Sequence, residues 1–376
     1  MENRAARRHP DRSWRKPDLR EGYTTSACAA ASAAAATRAL LTGVAVSEIV
    51  IDLPAKKQVL FKIVRCELAP GQALCGTIKD AGDDPDVTNG AEICAVVTRQ
   101  EVPGVSIEGG LGVGVVTLPG LPVSVGSPAI NPGARRIITR AVEAEIGEKV
   151  PETGLRITLT VPEGERIALE TLNPRLGIVG GISILGTTGV VKPFSQSAYR
   201  ASIYTELRVA AHNAIRRAIL STGSRSEEYA CLRYPDQSAL GCVQVGDHVD
   251  HALKQARRLG FSRVVISTMV GKASKLAQGR LQTHVSEGMV DFVFLAELAR
   301  ELGADEALTA RIRSANTARH VQMLLRQASL LGLETRLAQL AVEKVDAFVD
   351  GAFDVEVLVY DIDGELLGAA TMERKA

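Results

Sequence analysis

Aromatic side chains are scarce in this chain: 1 Trp, 6 Tyr and 7 Phe among 376 residues. Stacking bases on an open platform takes more of them than that. An excess of either charge is missing too. The 44 Lys and Arg are met by 43 Asp and Glu, for a net charge of +1. No basic or acidic field therefore points to nucleic acid as a partner. No run of 18 apolar residues occurs, so no segment is expected to span a membrane. The six cysteines (Cys28, Cys66, Cys75, Cys94, Cys231 and Cys242) include no C-x-x-C pair. That excludes a zinc ribbon or a thioredoxin-type centre, and scattered thiols fit a reducing cytoplasm. The histidines form no H-E-x-x-H or H-x-x-E-H pair, so a zinc hydrolase is excluded and no protein-bound metal is expected. The first 18 residues are basic and lack an apolar core, so they are expected to be a disordered tail and not a secretory signal.

What is present is ordinary globular material, 46% apolar and 23% charged, with length for two or three domains. Threonines open the stretch Leu19 to Thr42, which continues as ACAAASAAAATRALL. Alanine favours helix, and Thr24, Thr25 or Ser26 supplies a cap. Its side chains are so small that something must approach this helix closely. Val46–Leu53, Gln58–Leu68, Ala91–Gln100 and Leu155–Val161 read as strands, and Ile137–Ile146 as a helix. The second half alternates. Gln196–Arg217 reads as helix, Ala218–Thr222 as strand, Gly241–Val245 as strand, His248–Leu259 as helix and Arg263–Thr268 as strand. This predicts a parallel, doubly wound sheet. Helices follow from Val285 to about Ala347. Val355–Tyr360 and Leu366–Met372 read as a hairpin about Asp363-Gly364. The expected fold is thus α+β followed by α/β, in two domains. A mixed N-terminal domain with glycine-rich loops spans 19–192. A Rossmann-like parallel-sheet domain spans 193–300, and a helical segment with a β-hairpin spans 301–376.

Three loops carry unusual chemistry. The stretch GIVGGISILGTTGV, Gly177 to Val190, holds five glycines in fourteen residues. It nearly matches the phosphate loop G-x-x-x-x-G-K-[ST], with Thr187 in place of the lysine. Without that charge a triphosphate site is not expected. Exposed amides that bind anions or a flat ligand, or plain tight turns between domains, both remain open. The loop from Lys79 to Thr88 places four aspartates in seven residues. It is not an EF-hand, since Pro85 holds the position that needs glycine, and Asx-turns account for many such aspartates. Ser221-Thr222-Gly223-Ser224 follows a strand, and Asp247 follows the next one. In doubly wound sheets such an acid holds a ribose diol, although Asp247 also suits a helix N-cap. His284 and Cys28 are lone candidates. The thiol near a helix start is a candidate for a depressed pKa, with a buried inert thiol as the alternative.

The blocks LREGYTTSACAAAS, KDAGDDPDVTNGAEI, GVGVVTLPGL, NPGARR and NPRLGIVGGISILGTTGVVKPFS resemble the cobalt-precorrin-5B C(1)-methyltransferases of cobalamin biosynthesis. The resemblance runs in order from about Leu19 to at least Asp291. The second half departs from the family pattern. A Gly-His-x-Gly-Lys run reads Thr268-Met269-Val270-Gly271-Lys272 here, a Gly-Asn-aromatic segment reads Gly246-Asp247-His248, and a Thr-His-Ser element persists as Thr283-His284 with Ser286. The resemblance implies methyl transfer from S-adenosylmethionine to C1 of a cobalt corrinoid. The methyl donor is already activated, so strong general-base chemistry is not required; His284 is the one catalytic candidate. It implies corrinoid contacts from Thr24, Thr25, Lys79, Asp80, Asp83, Asp84, Asn131, Arg135, Asn173, Arg175, Gly180, Gly181, Ser183, Thr187 and Thr188. Donor contacts are expected from Gly223, Ser224, Asp247 and Lys272. The alternatives are a methyltransferase on a cobalt-free precorrin and a non-catalytic corrinoid-binding partner. The expected surroundings are the cytoplasm, with a homo-oligomer or neighbouring pathway enzymes as possible company.

Overall fold

The structure is a computed structural model that describes residues 19–147 and 154–374. The expected basic tail, 1–18, lies outside the described residues. The chain is mixed α/β and divides into two compact units. The first takes residues 19–113, 130–147, 154–170 and 180–194, and the second takes 114–129, 171–179 and 195–374. Among the described residues no helix is long and apolar enough to cross a membrane.

The first unit begins with helix α1 (Thr25–Thr42), capped by the Thr24 hydroxyl and closed by Gly43 in the left-handed conformation. Every residue from Ala27 to Ala36 has zero exposure. Methyl-sized side chains let neighbours close in all round, and Ser32 donates its hydroxyl to the Ile93 carbonyl at 2.7 Å. Strands β1 (Glu48–Ile51) and β2 (Val59–Lys62) form an antiparallel pair. Strands β3 (Arg65–Ala69), β4 (Gln72–Ile78), β5 (Glu92–Gln100), β6 (Val105–Gly109) and, after helix α2 (Pro132–Ile146), β7 (Gly154–Thr160) form a sheet ordered β3-β4-β5-β7-β6. Only β7 and β6 run parallel in it. The strand expected over Gln58–Leu68 is therefore two strands. Its halves separate at Ile63-Val64 because β2 pairs with β1 whereas β3 pairs with β4. Helix α2 starts five residues earlier than expected, since Pro132 suits the first helical turn. A short helix α3 (Gly164–Ala168) follows β7.

The second unit holds helix α4 (Gln196–His212), strand β8 (Arg217–Ser221), helix α5 (Ser224–Arg233), strand β9 (Cys242–Gln244), helix α6 (Val249–Arg258), strand β10 (Arg263–Met269) and helix α7 (Val270–Ala277). Helices α8 (Phe292–Glu301), α9 (Glu306–Arg313), α10 (Ala318–Gln327) and α11 (Leu333–Val349) then lead to β11 (Asp354–Tyr360) and β12 (Leu366–Met372). Helix α4 stops short of the expected Arg217. Ala214 turns the chain at φ 59°, and Arg217 already belongs to β8. The sheet order is β9-β8-β10-β11-β12, parallel except for the antiparallel last pair. Residues 301–374, expected as a separate segment, belong to this unit because β11 is the parallel neighbour of β10. Alternate side chains enter different cores. Ala218, Leu220, Val264 and Ile266 pack with α6, α7 and α11, while Ile219 and Val265 pack with Ala230 of α5. Both faces of the sheet are thus covered by helices.

Short strand pairs thread the glycine-rich stretch into each unit. Ile178–Val179 pairs with Val115–Val116 in the second, and Gly181–Ile182 pairs parallel with Gly112–Val113 in the first. A Cβ on Gly181 would lie 2.1 Å from the Gly112 carbonyl oxygen, and one on Gly186 would lie 2.6 Å from Thr24 Cβ. At Gly181, expected either to meet a ligand or to serve a tight turn, the close approach is backbone on backbone. Gly181→Ala should lower stability by about 1–3 kcal/mol through overpacking. Urea unfolding measures this, and an unchanged midpoint would show that the two strands part freely.

Candidate functional site

A cavity of about 560 Å³ opens in the second unit at the carboxyl ends of β8, β9 and β10. Strand order reverses here. β8 comes first in the chain, with β9 on one side and β10 on the other. Loops at such a point diverge and leave a crevice. The cavity is walled by Thr222, Gly223, Ser224, Asp247, Lys272 and Thr283 among others. Gly223 caps α5 in an extended conformation, and a Cβ there would meet nothing within 4 Å. The opening therefore lies above the first turn of α5, whose amides have no helical acceptors.

One ammonium ties the rim together. Lys272, in the first turn of α7, donates from Nζ to the Thr222 carbonyl at 2.8 Å and the Gly246 carbonyl at 3.2 Å. The same atom lies 3.1 Å from Asp247 Oδ1. Thr283 donates its hydroxyl to that carboxylate at 2.8 Å. Burial opposes the charge on Asp247, but Thr283 and Lys272 outweigh it and hold the carboxyl below its ordinary pKa. One turn along α7, buried Lys275 donates to the Thr283 carbonyl at 2.7 Å, and burial lowers its pKa. The two lysines thus fix the loops after β8, β9 and α7. Asp247 is not the cap of α6; His248 occupies that position. His284 is exposed and turned to its own loop, its Nδ1 2.8 Å from the Ser286 hydroxyl.

The residues expected at the corrinoid do not converge on one cavity. Lys79 is 1% exposed and donates to Asp86 at 2.7 Å. Asp86 also accepts from the Thr88 amide and hydroxyl; burial pushes its pKa up, but the Lys79 charge, aided by these bonds, holds it down. Asp80 pairs with Arg20, Asp83 accepts from the Arg20 amide, and Asp84 accepts from the Phe194 amide. The acidic loop is therefore largely an internal brace. Thr24 caps α1, and the Thr25 hydroxyl donates toward the Ser183 or Leu185 carbonyl. Asn131 precedes α2 without a side-chain cap bond, and Ser183 and Asn173 are buried. Arg135 donates to the Ile107 carbonyl at 2.8 Å, and burial lowers its pKa. Gly180 has φ 80°, and the Thr188 hydroxyl donates to the Val190 carbonyl. Thr187 lines a cavity of about 460 Å³ in the first unit with Arg136, Arg140 and Lys57. The i, i+4 spacing of those two arginines on α2 was the signal for that wall. Of the two readings of Cys28, the buried inert thiol holds: burial pushes its pKa up to about 12. A fully enclosed thiol cannot hold a thiolate cheaply.

Arg175, in the second unit, is bound by its own protein. Its guanidinium lies 2.6 Å from Glu227 and 3.7 Å from Glu206, and it donates to the Cys242 carbonyl. Glu227 takes the nearer place. Burial then dominates at Glu206, with Glu227 repelling it, and its pKa rises from 4.5 to about 7. The folded state therefore holds a proton that the unfolded state has lost between those values. This contribution to stability is full below about pH 4.5 and gone above about pH 7. Unfolding free energies of Glu206→Gln and the parent protein across that window should diverge by a few kcal/mol, roughly 1.4 per pKa unit. Parallel curves would mean that Glu206 ionises at its ordinary value.

The CbiD family model matches residues 12–193, and the model described as CbiD, C-terminal domain, matches 282–371. A cobalt-precorrin-5B C(1)-methyltransferase of Geobacillus kaustophilus (strain HTA426) is 45% identical over 355 residues, 94% of this chain and 95% of that protein. The protein of the same name from Salinispora arenicola (strain CNS-205) is 44% identical, covering 94% of this chain and 93% of its own. A crystal structure described as cobalamin biosynthesis protein (cbiD) from Archaeoglobus fulgidus is 29% identical. It covers 70% of this chain and 82% of that one, with a TM-score of 0.38.

Proposed function

Because this chain belongs to the CbiD family, we propose that it methylates C1 of cobalt-precorrin-5B, with S-adenosylmethionine as methyl donor. The observation that carries this reading is identity of 45% along 94% of the chain with a relative of that name. We read the second unit as a Rossmann-like module that holds the donor. The chemistry of its cavity fits such a ligand. When bound, the donor supplies a methyl group already activated on a sulfonium. Asp247, ionised between β9 and α6, suits a ribose diol. Gly223 and Ser224 offer open backbone at the start of α5. The charge of Lys272 is balanced by Asp247 and by two carbonyls, so it positions the acid without repelling a sulfonium. None of these groups needs to accept a proton; their work is to bind and orient.

Among the residues expected at the corrinoid, Thr187 is the one we retain at a cavity. Arg175, Lys79 and the aspartates of the 80–86 loop are better read as braces, since each has a partner in the protein. Incubation with cobalt-precorrin-5B and labelled donor should give a product one methyl heavier, with the label at C1 by carbon NMR. Asp247→Asn should weaken binding of S-adenosylhomocysteine about tenfold in calorimetry, the worth of one charge-assisted hydrogen bond. Unchanged affinity in a folded variant would remove Asp247 from the donor site. Absence of label in the product would sink the activity itself.

A further inference from the structure

A second cavity, of about 420 Å³, adjoins the first in the same unit. It lies beyond the carboxyl ends of β10 and β11, against the start of α10, and the two cavities share Met269, Gly271 and Val290 as walls. We propose that this second cavity receives the corrinoid, with Arg319 and Arg326 holding its carboxylates and Met323 lying against its ring. The proposal rests on the methyltransferase reading above, and it moves the acceptor to residues that neither the sequence motifs nor the comparisons indicate.

Three observations lead there. Methyl transfer needs the accepting carbon in contact with the methyl group, so the acceptor must occupy space continuous with the donor's. The shared walls supply that continuity. A corrinoid pairs a flat, largely apolar ring with carboxylate arms, and this lining has both characters. Met269, Val290 and Met323 offer polarisable, adaptable surface, and Met323 is 52% exposed with nothing of its own to cover it. Arg319 is exposed and makes no ion pair with the described residues. Arg326 is only loosely engaged, 3.8 Å from Asp361 and 3.6 Å from Glu365. The two arginines stand seven residues apart on α10, two turns along one face, which suits two arms of one ligand. Asp361 Oδ1 accepts from the Asp363 and Glu365 amides, and its Oδ2 is the atom near Arg326. Asp361 and Asp363 share the lining, so carboxylate arms would seat on the α10 side, at Arg319. Planar guanidinium forks match carboxylates in pairs, which a lone ammonium does not.

The Thr187 cavity with Arg136 and Arg140 is the rival place for the same carboxylates. Spectroscopic titration of the full chain with cobyrinic acid, a corrinoid with free carboxylates, and with its methyl ester separates the two. Arg319→Glu and Met323→Glu should each raise the dissociation constant for cobyrinic acid about tenfold or more. The change at Arg319 should vanish with the ester, which has no charge to lose. Affinity for S-adenosylhomocysteine should stay within about twofold, since both side chains lie outside the donor cavity. Both positions are exposed, and an unchanged melting temperature confirms the fold. If cobyrinic acid binds these variants as it binds the parent, or if Arg136→Glu with Arg140→Glu abolishes binding instead, the inference is overturned. Loss of S-adenosylhomocysteine binding by the parent would instead strike the donor reading, so the two failures are distinguishable.

Discussion

Close approach of backbone to backbone is the constraint on which the first unit depends. Helix α1 is enclosed on every side because ten successive positions, Ala27 to Ala36, carry nothing larger than a cysteine. Gly112 and Gly181 meet at a distance that no Cβ would tolerate. Most of what is distinctive in the first half of the sequence serves this closeness. The acidic loop belongs to the same economy, since Lys79 is buried with Asp86 and the neighbouring aspartates tie down Arg20 and Phe194. A buried ammonium would be costly unpaired, and the loop supplies the pair.

The second unit works on another plan. Its strands are covered on both faces, so its loops are left to make the site. There the organising contact is a single ammonium, Lys272, which bonds to the ends of two strands and to the acid beyond one of them. Lys275 repeats the device one turn later. Helix α7 thus acts as a bracket for three loops, and side chains from distant parts of the chain face one opening. The arrangement gives a fixed acid without a metal-ligand cluster. Among the described residues no three His, Cys, Asp or Glu side chains gather as a metal site would require.

The alternation of strands and helices after Gln196 was legible because apolar runs of four to seven residues carry their own signal. The hairpin at Asp363-Gly364 was equally plain, yet its place in the sheet was not. Pairing of β11 with β10 is a contact across some ninety residues, between Arg263 and Asp354, that no local pattern encodes. Asp247 stood out by its position after a strand and Thr283 by the Thr-His-Ser element, whereas Lys275 gave no sign until the loops met. The glycines could not be sorted by sequence. A glycine demanded by a neighbouring backbone and one demanded by a ligand look the same in a sequence. At Arg175 a cation within a distinctive motif reveals nothing of the Glu206 and Glu227 beside it. Arg319 and Arg326 lay in an unremarkable helix, where an arginine is ordinarily a solvated surface group.

The alanine helix has a mechanical meaning as well as a steric one. Side chains that end at Cβ have no rotamers to exchange, so α1 itself offers nothing to repack against the isoleucines and valines of its neighbours. Close-packed interiors compress little and transmit displacement. The helix is the member of that packing least able to absorb a displacement, so a push on one face of α1 falls on the larger side chains across from the other.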